Sequence, residues 1–363
     1  MKNLFLAAGA ALVLASSSTL TLADTTWTST AQNLWANSVD WSTGLPNGSS
    51  GAIFQDPGTV GLVHAIDVSV QNTITRGISF GPSTAGSGFT IMSSAVPSIM
   101  QLNAGGTFNG IVNNDSRAQT ISVPLKMYSG NGFAGSGAAQ TWNAAAGNLL
   151  ITGAYNGSAA TVDNNGGRLT IDGTFNTTIG AANGRGTIVG VGGLTKDGTG
   201  TLFLGGTNAN TFSGGTIIDV GAIVATKANA LGSGGLTLNA GTTFNAGGFN
   251  QTLGALTVAG SGAMLDFGAA AGTNILTFAS SSGLSWAGTL TIFNFDPSTD
   301  RLRFGTSATG LTFSQLTGIT FNGFAPGALI DPLGYVTVPE PSTLSLCFLG
   351  AMALVLRRNS RAR

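Results

Sequence analysis

The clearest structural signal lies in one segment of the chain, Gly193-Leu194-Thr195-Lys196-Asp197-Gly198-Thr199-Gly200-Thr201-Leu202-Phe203-Leu204. It continues as Thr211-Phe212-Ser213-Gly214-Gly215-Thr216-Ile217 and Gly221-Ala222-Ile223-Val224. Apolar side chains alternate with threonine, a period of two that is typical of a half-buried β-strand, and the glycines mark tight turns. The segment therefore predicts short strands joined by glycine-rich corners.

The same alternation recurs over most of the chain. Between residues 24 and 336 no convincing amphipathic helix is found, and further short runs repeat the pattern: Leu169-Thr170-Ile171, Leu236-Thr237-Leu238, Leu256-Thr257-Val258 and Leu290-Thr291-Ile292. Glycine accounts for 56 of the 363 residues, and only 8% of the residues are charged. Because 42% are hydrophobic, the chain can bury a core, and we expect an all-β fold rather than disorder.

A longer spacing predicts how the strands are arranged. Gly-Thr-Phe-Asn occurs around Phe108 and Phe175, and a degenerate copy contains Phe244, so these phenylalanines are 67 and 69 residues apart. Each interval is close to three units of about 22 or 23 residues, a length that suits one coil of a β-solenoid. Residues 24–336 would then form about 14 coils and a rod of roughly 65 to 70 Å. A two-sheet sandwich is the structural alternative.

The segment at residues 193–224 resembles the autotransporter-associated β-strand repeat, in which a Lys-x-Gly-x-Gly-x-Leu element precedes a Gly-Gly-Thr element. Here the first element begins at Lys196 and the second is Gly214-Gly215-Thr216. One full copy is evident. The resemblance implies a right-handed parallel β-helix, in which equivalent side chains of successive coils stack in the interior.

The N-terminus has the order of a secretory signal peptide, which we predict at residues 1–23 as a short helix. Lys2 supplies the positive charge, Leu4 to Leu14 form the apolar part, and Thr21-Leu22-Ala23 ends in a small residue. We expect signal peptidase to cut after Ala23 and the protein to be exported.

The C-terminal segment, residues 337–363, contains three ordered elements. Pro339-Glu340-Pro341-Ser342 is followed by an apolar helix predicted from Leu344 to Leu356, and then by Arg357 and Arg358. Such a helix is about 20 Å long, whereas the hydrocarbon core is about 30 Å thick, which argues against a permanent anchor. The order resembles the PEP-CTERM sorting signal of Gram-negative bacteria. This resemblance implies transient anchoring in the inner membrane and processing by an exosortase-like enzyme.

The two ends of the body, residues 24–336, differ from its middle. Near the start, Trp27, Trp35 and Trp41 lie in a polar segment. We expect them to cap the first coil, and an exposed platform that stacks on sugar rings is the alternative. Residues from about 284 to 336 resemble the closing region of PEP-CTERM proteins with this repeat and are predicted to cap the other end. Beyond Asp331-Pro332 we expect a loose stalk.

Composition argues against several classes of function. Without the two predicted targeting segments the chain holds nine basic residues against thirteen Asp, a mildly acidic balance that argues against a nucleic-acid partner. Cys347 is the only cysteine, so an intramolecular disulfide is not possible. We expect no cofactor and no metal.

A hydrolytic triad has little support in the sequence. His64 is the only histidine, and its one distinctive neighbour in the chain is Asp67. A triad needs a base with a nucleophile and an orienting carboxylate, so we expect His64 to be structural.

Carboxylate chemistry is the remaining catalytic alternative, because parallel β-helices can host polysaccharide lyases and glycosidases. The candidate residues fit turns equally well: Asp163, Arg168, Asp172, Asn294, Asp296 and Asp300. The last three are also the candidates for a weak calcium site.

These observations predict an exported, non-enzymatic β-solenoid at the cell surface or in the extracellular matrix. The expected partners are signal peptidase, an exosortase-like enzyme, the inner membrane through residues 344–356, and exopolysaccharide. A polysaccharide-binding adhesin is the first alternative, and a polysaccharide lyase or hydrolase is the second.

Overall fold

The computed structural model describes residues 24–30, 34–56, 64–68, 73–82, 87–94, 99–104, 109–129, 137–153, 161–180, 186–269 and 272–339. The predicted signal helix at 1–23 and the predicted apolar helix at 344–356 lie outside these residues. Within the described ranges, no helix is long and apolar enough to cross a lipid bilayer.

The described residues form short strands with very little helix. In chain order the strands are β1 Thr25–Thr26, β2 Ala52–Phe54, β3 Ala65–Asp67, β4 Thr73–Thr75, β5 Ile78–Phe80, β6 Thr90–Met92, β7 Met100–Ala104, β8 Gly110–Asn113, β9 Gln119–Ile121, β10 Leu125–Ser129, β11 Gln140–Ala144, β12 Leu149–Ile151, β13 Val162–Asp163, β14 Leu169–Gly173, β15 Thr177–Ile179, β16 Ile188–Val189, β17 Leu194–Lys196, β18 Thr201–Leu204, β19 Thr216–Ile218, β20 Ala222–Ala225, β21 Leu236–Leu238, β22 Thr243–Asn245, β23 Gln251–Leu253, β24 Leu256–Val258, β25 Ala263–Asp266, β26 Ile275–Phe278, β27 Leu290–Phe293, β28 Arg301–Phe304, β29 Ile319–Phe321, β30 Leu329–Ile330 and β31 Tyr335–Thr337. The helices are a 3-10 turn at Ser38–Asp40 and α1 at Phe313–Thr317.

The strands stack into long parallel sheets. Sheet 1 has the order β1-β2-β5-β8-β11-β14-β17-β19-β21-β24, and sheet 2 has the order β3-β6-β9-β12-β15-β18-β20-β22-β25-β27-β29. A third face holds sheet 3, β4-β7-β10-β13-β16, and further along the rod sheet 4, β23-β26-β28-β31-β30. Nearly every strand pairs in parallel with the equivalent strand of the next coil, so the body is a parallel β-helix, as the sequence predicts.

The coils differ in length, and the uniform coil of 22 or 23 residues predicted from the sequence is wrong. In sheet 1, Ile78 pairs with Ile111, 33 positions further along the chain. Only from β17 onwards do the coils of this sheet shorten, and Thr216 pairs with Leu236, 20 positions further along. The longest stack, sheet 2, has 11 strands, so at about 4.8 Å per strand the rod is roughly 50 Å long rather than 65 to 70 Å.

The three phenylalanines used for that prediction do not occupy equivalent positions. Phe244 is buried in β22, whereas Phe175 lies in the turn between β14 and β15 and is 43% exposed. Phe108 lies outside the described residues. Their spacing therefore does not correspond to a whole number of equal coils.

The interior is a stack of apolar side chains from successive coils. In β21, Leu236 and Leu238 are buried and Thr237 between them is only partly so, which is the alternation that the sequence predicts. Leu236 pairs in register with Leu256 of the next coil, so like residues lie above one another. Apolar area is thus removed from water between coils as well as between faces.

The short coils close at a corner that needs glycine. Gly214, Gly234 and Gly254 each precede a strand of sheet 1 by two residues. A Cβ atom on Gly214 would lie 2.5 Å from the carbonyl carbon of Gly192, and one on Gly234 would lie 2.8 Å from that of Gly214. Both distances are far below van der Waals contact, so a side chain here would push the coils apart.

The N-terminal end of the rod is covered by chain that departs from the parallel pattern. Trp27, next to β1, forms an antiparallel bridge with Trp41, and Leu34 pairs with Asp67 of β3. These contacts occupy the first strand edges of sheets 1 and 2. Because uncovered edges promote association, the segment acts as a cap.

The C-terminal end is closed by an antiparallel hairpin. Strands β30 and β31 pair with each other, and β31 pairs with β28 through Val336 and Leu302. The loose stalk predicted beyond Asp331-Pro332 is therefore wrong, because Asp331 makes the hairpin turn and strand structure extends to Thr337. The hairpin protects sheet 4 in the same way as the tryptophan segment protects sheets 1 and 2.

Candidate functional site

The segment around the predicted repeat forms β17 to β20, two consecutive strands in each of sheets 1 and 2. Its apolar residues point inward as predicted, and Leu194, Leu202 and Ile223 are each at most 1% exposed. Lys196 also points inward and is 2% exposed. A charge in such a place is costly unless hydrogen bonds compensate for the lost water.

The Lys196 ammonium is held by the turn that follows β17. Its Nζ donates to the carbonyl oxygens of Asp197 at 2.5 Å and Gly198 at 2.7 Å. Burial lowers the pKa of Lys196 to about 8, although attraction to the Asp172 and Asp197 carboxylates opposes the shift. The lysine of the repeat motif thus fastens a tight turn between two sheets.

A second lysine is buried one coil later, on the third face. Lys227 Nζ donates to Asn210 Oδ1 at 2.8 Å and to the carbonyl oxygen of Gly186. Both acceptors are neutral, and burial lowers the pKa of Lys227 to about 8. Gln251 completes the group, since its Nε2 donates to the Lys227 carbonyl at 2.9 Å. These side chains join neighbouring coils where the strand ladder is interrupted.

His64 has different neighbours from the one predicted. Its Nε2 lies 3.2 Å from Asp56 Oδ2, and its Nδ1 lies 3.0 Å from the carbonyl oxygen and 3.2 Å from Oγ of Ser87. The Asp67 carboxylate instead accepts hydrogen bonds from Ser94. Serine, histidine and aspartate therefore do meet, which the sequence did not reveal.

The geometry of this trio is unsuited to a hydrolytic triad. The base of a triad must present an unprotonated nitrogen to the serine hydroxyl. Here the nitrogen beside Ser87 Oγ also faces the Ser87 carbonyl, which can only accept a hydrogen bond. The ring stacks on Phe89 with its centroid 4.4 Å away, so His64 links two coils in the structural role that was expected.

The carboxylates considered for lyase or glycosidase chemistry do not converge. Asp163 forms an ion pair with Lys126 at 3.2 Å, and Asp172 accepts from the Asn143 amide. Arg168 turns to the next coil and donates to the Leu194 carbonyl at 3.1 Å. Each group serves a separate contact, as turn and ladder chemistry requires.

The proposed calcium ligands are already engaged. Asp300 is 3% exposed, and its Oδ1 accepts from the backbone and side chain of Asn274 while its Oδ2 accepts from the Asp296 amide. Ser298 donates to Asp296 and lowers the pKa of that carboxyl. Across the described part of the chain, no group of three or more His, Cys, Asp or Glu side chains is placed to hold a metal ion.

The N-terminal tryptophans are packed in the cap. Trp27, Trp35 and Trp41 are 1%, 3% and 4% exposed. Their rings contact one another edge to face, with centroids 5.1 Å apart for Trp27 and Trp41, and they cover Phe54. A sugar platform needs exposed indole faces, so the burial of these rings removes the support for that alternative.

Most of the predicted targeting residues lie outside the described residues: Ala23, Glu340, Pro341, Ser342, Arg357 and Arg358. Pro339 is described and half-buried, two positions after the end of β31. Val338, between them, packs against the core. The predicted motif thus begins directly at the folded cap.

One feature of the C-terminal cap did not emerge from the sequence. The loop from Ser282 to Gly288 and helix α1 enclose a groove beside Trp286, and the loop contains a serine run next to that tryptophan. A run of hydroxyls beside an aromatic residue was the available signal.

Comparison with known proteins locates the relatedness of the chain. The family described as Passenger-associated-transport-repeat matches residues 194–225. The chain is also 36% identical over 146 residues to the Adhesin BmaC autotransporter of Brucella suis biovar 1 (strain 1330), an alignment that covers 38% of this chain and 4% of that protein. No solved structure matches the chain. The chain therefore carries one passenger-associated transport repeat, formed by β17 to β20, and is similar to a small part of an autotransporter adhesin.

Proposed function

We propose that this protein is an exported, non-catalytic β-helix that acts at the surface of a Gram-negative bacterium, in the manner of an adhesin. The observation that carries the proposal is the parallel β-helix built around the repeat at residues 194–225, together with the similarity to part of an adhesin. A stacked rod holds its form without a disulfide, which suits an extracellular protein whose only cysteine is Cys347.

The chemistry of the described residues supports a binding role over a catalytic one. The histidine, the buried lysines and the carboxylates considered above all serve contacts within or between coils. Low surface charge also favours contact through polar and apolar groups over electrostatic steering.

The sorting route is the finer part of the proposal. Signal peptidase would remove residues 1–23, and residues 344–356 would hold the exported chain in the inner membrane while Arg357 and Arg358 stay on the cytoplasmic side. An exosortase-like enzyme would then cut near Pro339-Glu340-Pro341. Proline on both sides of Glu340 keeps this peptide extended, a form that a protease cleft accepts.

Two experiments test the two parts separately. Protease treatment of intact cells should release fragments of the body if it lies at the surface, and full protection would contradict the surface role. Intact mass spectrometry of the protein from strains with and without exosortase should show a shorter C-terminus only where the enzyme is present. A full-length C-terminus in both strains would overturn the sorting route and leave the surface role standing.

A further inference from the structure

The groove in the C-terminal cap lies between the loop that precedes β27 and helix α1. It has a volume of about 360 Å³ and is lined by Ser282, Ser285, Trp286, Thr312, Ser314 and Gln315, with small and apolar residues between them. Ligand pockets in proteins are commonly about 300–1,000 Å³. The groove is therefore large enough for a small ligand or for one part of a chain molecule.

The walls of the groove are held in place by Gln315, which is 4% exposed. Its Nε2 donates to the Ser281 carbonyl at 2.9 Å and to the Leu284 carbonyl at 2.8 Å. Its Oε1 accepts from the Thr312 backbone amide at 2.8 Å. One buried amide thus joins the serine loop to α1, so the groove is preformed and ligand binding need not order it.

The indole at the groove is also fixed. Trp286 Nε1 donates to the Leu256 carbonyl at 3.0 Å, and the ring lies edge to face with Phe304 at a centroid distance of 6.3 Å. Trp286 is half-buried, whereas the other four tryptophans, all among the described residues, are at most 4% exposed. Trp286 is the one indole that can meet a ligand from solvent.

The chemistry of the lining selects the ligand class. None of the residues that line the groove is charged. Its polar groups are mainly serine and threonine hydroxyls, which donate and accept hydrogen bonds, and its aromatic surface is an indole. Neutral sugars present hydroxyls at their rim and C–H groups on their faces, and these match hydroxyls and an indole. A carboxylate or phosphate would find no cation there.

We propose that this groove binds a neutral saccharide, as a single residue or as one unit of an uncharged polysaccharide. The inference rests on the proposed surface role only in giving that role a ligand class. It moves the sugar contact from Trp27, Trp35 and Trp41 at one end of the rod to Trp286 at the other.

The purified full-length protein tests the site directly. An array of neutral oligosaccharides (maltohexaose, cellohexaose, chitohexaose and a galactan oligosaccharide), with oligogalacturonate as the charged comparator, should give binding to at least one neutral member. Titration of that member should change the tryptophan emission, because only Trp286 is accessible. Ser285 is exposed. Ser285→Arg should therefore obstruct the groove without disturbing the core and weaken binding at least tenfold.

Matched variants keep the test interpretable. Trp286→Ala should abolish both binding and the emission change, and its circular dichroism shows whether the fold survives. Ser233→Arg places the same side chain at an exposed position in a short coil and should bind as the wild type does. The proposal is overturned if no neutral oligosaccharide binds, if only oligogalacturonate binds, or if Ser285→Arg binds normally. None of these outcomes affects the tests of surface exposure or C-terminal processing.

Discussion

The rod consists of two unlike regions. In the long-coil region, from β1 to β16, successive strands of sheet 1 are offset by as much as 33 residues, as between Ile78 and Ile111. In the short-coil region, from β17 to β24, the offset falls to 20, as between Leu236 and Leu256. The three ion pairs found among the described residues, at His64, Arg117 and Lys126, all lie in the long-coil region.

The difference shows what coil length permits. A short coil leaves no residues for loops, so its corners must pass directly over one another, and glycine is needed at Gly214 and Gly234. A long coil has residues to spare, and loops on a rigid scaffold are where polar contacts and variation accumulate. The match to the repeat family falls in the short-coil region, where the sequence is most constrained by geometry.

The largest expected effect comes from opening the cap of the long-coil region. Trp27→Ala should cost about 4 kcal/mol of unfolding free energy, because a buried indole and its contact with Trp41 are lost. In a stacked rod the damage should be local, so hydrogen exchange should accelerate in β2 and β5 and stay unchanged in β21 and β24. Val39→Ala in the same segment is the control, since Val39 is 77% exposed. Uniform acceleration along the rod would mean that the two regions unfold as one.

A substitution at a short-coil corner should rank second. Gly234→Val places a side chain against the Gly214 backbone and should cost about 3 kcal/mol, measured by chemical denaturation. Gly283→Val is the matched control, because a Cβ there meets nothing within 4 Å. Equal stability of the two variants would contradict the stacked corner.

The buried lysine of the short-coil region should make stability depend on pH. The folded pKa of Lys227 is about 8 and its ordinary value is 10.5. Between these values the unfolded chain binds more protons, so stability rises with pH, by about 2 kcal/mol between pH 7 and 9.5. Lys227→Met should remove that rise. Denaturation curves at the two pH values measure it, and an unchanged slope in the variant would show that Lys227 is not the source.

The smallest effect is expected at a surface contact of the long-coil region. The side chains of Lys126 and Asp163 are each 29% exposed, and their ion pair spans 3.2 Å. Lys126→Met should therefore change stability by no more than about 0.5 kcal/mol, and less at high salt. A loss above about 1.5 kcal/mol would indicate that this pair is structural and that the long coils depend on their loops.

The strands were predictable from local pattern, whereas the coil lengths were not. The runs at Leu169, Leu236, Leu256 and Leu290 each form the expected strand, because alternation with threonine is a property of neighbouring residues. Coil length depends on how much chain is accommodated in loops, and a spacing that averages long and short coils conceals this. The spacing between Phe175 and Phe244 is such an average.

The contacts of the candidate sites were hidden for the same reason. Ser87 reaches His64 because one coil closes between them, and no local pattern gives the length of that coil. Gln315 looks like an ordinary polar helix residue in sequence, yet it is buried and joins α1 to the serine loop. Such residues depend on which segments the fold brings together, and only the structure provides that.

The central claim is that long and short coils belong to one continuous parallel β-helix. Ser79 of β5 and Thr257 of β24 lie in sheet 1, seven strand steps apart. Spin labels at these two positions, with Cys347→Ser to remove the native thiol, should therefore be about 34 Å apart. Double electron–electron resonance measures this distance. A single narrow distribution near that value is the predicted result, and a distance under about 20 Å, as in a two-sheet sandwich, would contradict the account.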